Sequence, residues 1–222
     1  MTGASPNFGD RRGGERPGLI VIHYTAMQTC AEARERLCDP LAEVSAHWLI
    51  SEIGQADNLV PEDKRAWHAG AGSWAGRGDV NSRSIGIELA NRGNHPFSEP
   101  QMTALEHLLA GIMARWSIPA HGVIGHSDMA PDRKADPGPA FDWRRLAING
   151  LSVWPRVSAR VADTLFRQHA IAFGYPDEIS DEVLLRAFRL RFRPWHQGPL
   201  DGIDAAMAED LAQRFPVDRP VA

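Results

Sequence analysis

Only two of the 222 residues are cysteine, Cys30 and Cys38. They fall on one predicted helix, where their separation amounts to ~12 Å at 1.5 Å per residue, too far for a disulfide between them. A disulfide-stapled fold is excluded, and two free thiols agree with a reducing compartment. Neither lies near the histidine-bearing segments, so neither is expected to hold a metal. Long apolar runs are also missing, since nothing approaches the ~20 residues that span a bilayer. The first eighteen residues, MTGASPNFGDRRGGERPG, lack the apolar core of a secretory signal. They read as a flexible polar lead, and taken alone they point to the cytoplasm. A basic excess is absent as well: the formal net charge of −4 offers no positive face to nucleic acid. There are no internal repeats and no low-complexity tract.

What is present is an ordinary globular composition, 43% hydrophobic and 23% charged, enough for one medium domain and a small second one. The apolar run Leu19–Ile22, ending on His23, reads as a buried strand. Cys30–Leu37 follows as a short helix closed before Pro40. Val44–Ser51 reads as a strand that turns at Ile53–Gln55 into Asp57–Val60. Pro61–Trp67 fits a helical turn with proline at its first position. Arg83–Ala90 is another strand, and Ser98 with Gln101 signals a capped start for an amphipathic helix through Trp116. Asp142–Ala147 is one more short helix. Interleaved strands and helices predict an α/β domain, a mixed central sheet flanked by helices, over residues 19–150. Composition shifts near Gly150. Arg156–Phe173, Ser180–Arg191 and Asp204–Phe215 then predict a small three-helix bundle over 151–222, with a modest core of its own.

The stretch Gly125–Trp143, GHSDMAPDRKADPGPAFDW, gathers a histidine, a lysine and aspartates among prolines and glycines, as suits a rigid loop at an active site. A histidine ending a central strand, with a histidine and an aspartate on a later loop, makes an open zinc site. Three protein ligands and a fourth position left for water form the catalytic zinc pattern.

Five segments carry a more specific signal: VIHYT (Val21–Thr25), WHAG (Trp67–Gly70), SIGIEL (Ser84–Leu89), GHSDMAP and KADPGPAFDW. In this order they resemble zinc-dependent N-acetylmuramoyl-L-alanine amidases, the superfamily of AmpD- and AmiD-type enzymes, phage amidases and peptidoglycan recognition proteins. The resemblance implies one zinc ion held by His23, His126 and Asp136, with Glu88 as general base. It implies Lys134 as the charge that faces the developing oxyanion. Trp67, His68, Asn81 and Arg83 become candidate substrate contacts, and His47 a structural histidine. The C-terminal stretch, with its FGY turn and the DG before the last helix, resembles three-helix peptidoglycan-binding modules.

The implied activity is hydrolysis of the amide between N-acetylmuramic acid, or its 1,6-anhydro form, and L-alanine of the stem peptide. Cytoplasmic recycling of soluble muropeptides is the expected role. A wall-binding module fits better on an exported enzyme acting on intact peptidoglycan, which stands as the alternative. A muropeptide-binding protein without catalysis would lack a zinc ligand, and none is lacking here. A zinc hydrolase of the same build acting on another amide stays open.

Overall fold

The computed structural model describes residues 5–157 and 162–217. Its centre is a five-stranded mixed sheet in the order β4-β3-β6-β2-β7. The strands are β2 (Leu19–Tyr24), β3 (Trp48–Ile50), β4 (Ala56–Asn58), β6 (Ser84–Leu89) and β7 (Val123–Gly125). Strands β3, β6, β2 and β7 run parallel, and β4 pairs antiparallel at the edge through its turn from β3. The predicted mixed sheet flanked by helices is therefore present.

Period-two alternation gives the sheet two unlike faces. Ile20, Ile22, Ile85, Ile87 and Leu89 point to one side and pack on α3 (Glu99–Trp116) through Met102, Leu105, Leu109 and Ile112. Helix α5 (Trp143–Ile148) adds Trp143 and Leu146 to this layer. Helix α3 begins where the sequence predicts: the Ser98 hydroxyl accepts from the Gln101 N–H, and Pro100 sits in the first turn, where no N–H is needed. On the other side, Leu49 meets α1 (Cys30–Cys38) through Ala33 and Leu37. Thr29 and Glu32 close a capping box at the start of α1.

The C-terminal helices are α6 (Phe166–Phe173), α7 (Asp181–Phe192) and α8 (Gly202–Arg214). Their core is not separate. Phe166, Phe173, Tyr175, Leu184, Phe188 and Leu211 form one cluster with Leu19, Val21 and Ile124 of the sheet and with Trp74. The helices thus cover the part of the second sheet face that α1 leaves open. The sheet in turn completes the core of the three helices.

Three other expectations change. The lead is packed down from Ser5 onward: β1 (Phe8–Gly9) pairs antiparallel with β5 (Arg65–Ala66), so no flexible lead extends to residue 18. The Arg11 guanidinium donates to the carbonyls of Ser82 (2.8 Å), Ser84 (3.0 Å) and Glu62 (2.7 Å). Residues 61–67 are a turn leading into β5 rather than a helical turn, because the arriving β1 edge offers backbone partners that a lone turn cannot match. Of the predicted helix Arg156–Phe173, residues 158–161 lie outside the described residues. The described part is a short 3-10 turn, Asp163–Leu165, running into α6.

Candidate active site

The site lies at the C-terminal ends of the parallel strands, the edge where α/β sheets present their ligands. His23 is the fifth residue of β2 and stands directly opposite Glu88 of β6 in the register. Both face away from α3, on the side of the sheet that alternation reserves for polar groups. His126 opens the single-turn helix α4 (His126–Met129) straight after β7. Asp136 returns on the loop that follows, its backbone carbonyl accepting from the Ser127 N–H at 2.9 Å.

Three atoms converge here. His23 Nδ1 lies 2.9 Å from His126 Nδ1 and 2.9 Å from Asp136 Oδ2, and His126 Nδ1 lies 3.0 Å from the same oxygen. Hydrogen-bond logic assigns the protons around them. His126 Nε2 meets the Ala69 carbonyl at 2.9 Å. A carbonyl only accepts, so Nε2 carries the proton and Nδ1 presents a lone pair.

A longer chain of bonds does the same for His23. The Ser84 hydroxyl spends its single proton on the Val80 carbonyl at 2.6 Å. It therefore accepts from His68 Nε2 at 3.1 Å. His68 Nδ1 then has a lone pair, and accepts from His23 Nε2 at 3.0 Å. His23 Nδ1 is left bare, facing its two partners. Burial first, and the neighbouring His126 second, push His23 down to about 4. Burial likewise drives His68 well below the usual histidine range, so both rings are neutral at pH 7.

Three electron-pair donors converging in this way are compatible with a metal site. Two imidazoles and one carboxylate, on an open cleft, are a donor set that suits zinc. Among the described residues this is the one His/Cys/Asp/Glu group so arranged. The outer bonds to Ala69 and His68 hold the ring orientations, as outer partners of metal-bound histidines do.

The triad opens into a cleft of about 640 Å³, walled by Tyr24, Trp67, His68, Glu88, Arg133 and Lys134, with Arg36 and Leu37 of α1 opposite. Glu88 is only partly exposed, and its Oε2 is buried without a hydrogen-bond partner. Burial first, then the Asp136 charge, raises its carboxyl to about 8, against the pull of Lys134. A proton-accepting group poised near neutrality, with an unsatisfied oxygen beside a cation site, has the character of a general base. Lys134 is exposed on the same wall.

The structure places the remaining candidates differently. Trp67 lines the cleft. His68 lines it too, but both its nitrogens are bonded within the relay from His23 to Ser84. Asn81 is buried, and its Oδ1 accepts from the backbone N–H groups of His68 (3.0 Å) and Ala69 (2.8 Å). It holds the WHAG loop in place and does not face the cleft. Arg83 is remote from it, donating to the Arg77 carbonyl at 2.9 Å. His47 is fully buried: its Nδ1 accepts from the Gly86 N–H (2.9 Å) and its Nε2 donates to the Lys64 carbonyl (3.0 Å). Cys30 and Cys38 form no disulfide and are half-buried.

Sequence reasoning missed Ser84 and Gly86. A Cβ at Gly86 would run into the His68 ring, so the glycine of SIGIEL leaves the slot that this ring fills. It also missed Arg133, whose Nη2 donates to the Ala69 carbonyl at 2.6 Å and steadies the acceptor used by His126. An arginine in the GHSDMAP–KADPG stretch was visible as a charge but not as a loop tie.

A mixed sheet with a His-His-Asp cluster at its strand ends, compatible with a metal site, and a half-buried carboxylate beside that cluster fit the class of hydrolases. Residues 13–139 match the family model described as N-acetylmuramoyl-L-alanine amidase, and the chain belongs to that family. It is 36% identical to the N-acetylmuramoyl-L-alanine amidase AmiD of Escherichia coli (strain K12), over 90% of this chain and 84% of that protein. It is 35% identical to the 1,6-anhydro-N-acetylmuramyl-L-alanine amidase AmpD of Citrobacter freundii, over 64% of this chain and 85% of AmpD. The solved complex of E. coli AmiD with anhydro-N-acetylmuramic acid-L-Ala-D-gamma-Glu-L-Lys superposes with a TM-score of 0.84 at 31% identity, covering 96% of this chain and 99% of the chain in that structure. AmpDh3 of Pseudomonas aeruginosa gives 0.81 at 30% identity, over 92% and 94%. The likeness to these two structures thus takes in the C-terminal helices. Among the described residues no helix is long and apolar enough to cross a membrane.

Proposed function

We propose that this chain hydrolyses the amide between N-acetylmuramic acid, above all its 1,6-anhydro form, and L-alanine of the stem peptide, with one zinc ion held by His23, His126 and Asp136. The observation that carries the reading is the convergence of three donor atoms at 2.9–3.0 Å in the cleft that holds the unpartnered Glu88 oxygen. The substrate class follows the amidases that this chain resembles.

When bound, the ion supplies Lewis-acid polarisation of the amide carbonyl and makes water more acidic. The chain's own groups do the rest. Glu88 removes a proton as water adds to the carbonyl carbon, and returns it to the alanine nitrogen as the C–N bond breaks. Lys134 faces the negative charge that builds on the carbonyl oxygen. Trp67 offers a flat apolar wall for the sugar or the peptide. The products are the muramic acid carboxylate and a peptide with a free amino terminus.

The C-terminal helices enter this reading as a surface for the polymer, supported by a groove of about 760 Å³ lined by Phe166, Arg167, Leu185, Arg186 and Leu200. Recycling of soluble fragments goes with a cytoplasmic site of action, and cleavage of intact wall with an exported one.

The test is digestion of purified 1,6-anhydro-muropeptide and of intact sacculi, side by side, by zinc-loaded protein, read by mass spectrometry. Release of stem peptide from the soluble compound alone supports recycling. Release from sacculi moves the role to wall remodelling, and no release from either refutes the activity.

A further inference from the structure

The segment that carries His126 is gripped from behind by the C-terminal helices. Asp128, two residues along α4, is fully buried. Its Oδ2 accepts from Arg191 Nη1 at 2.7 Å and from the Gly125 N–H at 2.8 Å, and its Oδ1 accepts from the Tyr175 hydroxyl at 2.7 Å. Arg191 also donates through Nη2 to the Val123 carbonyl at 3.0 Å and to Ser152 Oγ at 3.2 Å. One guanidinium thus holds both ends of residues 123–128, with His126 between them. Its face lies over the Trp143 ring, 4.3 Å from the centroid. A second arginine of α7, Arg186, holds the Pro131 carbonyl at 3.1 Å, just past the end of α4.

We infer that Arg191 and Tyr175 are positioning residues for the metal site, and that the C-terminal helices are a working part of it. The inference rests on the metal-centre reading above. Helix α4 is a single turn and too short to keep its direction unaided. Its aim is set by the buried carboxylate at Asp128, and the donors that fix this carboxylate from outside its own turn come from beyond residue 174. An unpaired carboxylate there would draw in water or swing outward, and His126 Nδ1 would leave the 2.9–3.0 Å triangle.

The experiment compares zinc affinity of full-length variants by competition with a chromophoric chelator, and the visible absorption spectrum of each cobalt(II) form. Tyr175→Phe keeps the ring and removes only the donor; Arg191→Lys keeps the charge and loses the two-ended grip. Leu184→Ala, in the core of the helices and outside this hydrogen-bond network, controls for general loosening. The expected result is a loss of zinc affinity of several-fold for Tyr175→Phe and about tenfold for Arg191→Lys, of the size seen when outer-shell partners are removed. Both should shift the cobalt spectrum, while Leu184→Ala keeps the wild-type affinity and spectrum. Wild-type affinity in Tyr175→Phe, or an equal loss in Leu184→Ala, overturns the inference. A wild-type protein that binds no zinc brings down the metal-centre reading itself, a separate and recognisable failure.

Discussion

The same two strands, β2 and β6, present opposite characters on their two faces. Toward α3 they show Ile20, Ile22, Ile85, Ile87 and Leu89, all fully buried. Away from it they show His23, Gly86 and Glu88, with Leu19 and Val21 of β2 further down. Register alone separates the two sets, and a slip by one residue would exchange them. The apolar face can therefore supply cohesion without regard to chemistry. The other face can hold groups that stabilise nothing until a ligand arrives.

If the division holds, substitutions on the polar face should abolish chemistry with little loss of fold. His126→Ala should show the largest effect, losing zinc retention and turnover together; metal analysis after gel filtration checks it, and stoichiometric zinc in the variant would remove His126 from the ligand set.

Glu88→Gln should keep zinc and lose about 10²–10⁴-fold in turnover, the usual share of general acid–base catalysis. The same variant should sharpen the comparison through pH. The Glu88 carboxyl is raised to about 8 in the folded, metal-free protein, so the unfolded chain gives up this proton first. Between the ordinary carboxylate value and about 8, the contribution of this group to stability therefore falls with each rise in pH. Metal-free Glu88→Gln should escape that decline. At pH 9 it should be the more stable of the two by a few kcal/mol, since each pH unit crossed in that window removes ~1.4 kcal/mol from the wild type. Parallel denaturant titrations across this range would show it, and curves that stay parallel would place Glu88 in water.

On the apolar face, Leu105→Ala should cost about 2–5 kcal/mol by leaving a cavity under the sheet. The variant that remains folded should bind zinc as the wild type does. A changed zinc affinity there would break the separation of the faces.

The smallest effect concerns the relay behind His23. Ser84→Ala frees the His68 proton to move to Nδ1, where it opposes the His23 N–H. Zinc affinity should fall by about tenfold, and Ser84→Thr, which keeps a hydroxyl, should restore most of it. An unchanged affinity in Ser84→Ala would mean that the tautomer is set elsewhere.

The residues at the focus of the site are the ones whose chemistry demands particular side chains, which is why His23, His126, Asp136 and Glu88 could be picked out in the sequence. The supports were hidden because their partners are far away in the chain. Ser84 binds His68 through space, and Asp128 waits for Arg191. Asn81 and Arg83 show the converse, since Asn81 is spent on the backbone of the WHAG loop and Arg83 on the carbonyls of Trp74 and Arg77. Long periodic elements such as α3 were legible end to end. The two-residue strands β1 and β5 were not, because each exists only through the other. The C-terminal helices were legible as helices, while their sharing of a core with Leu19, Val21 and Ile124 depended on a sheet face that the sequence left unassigned.

The clamp of Arg191 on residues 123–128 also sets an order of events during synthesis. Strand β2 emerges early, yet its sheet partners are β6 and β7, made much later in the chain. His23 therefore leaves the ribosome long before the other two donors, and the partners that hold Asp128, Tyr175 and Arg191, follow last of all. If the clamp positions the site as inferred, the site is finished only when α7 has been made, and capture of an ion would be a late step in the birth of the molecule.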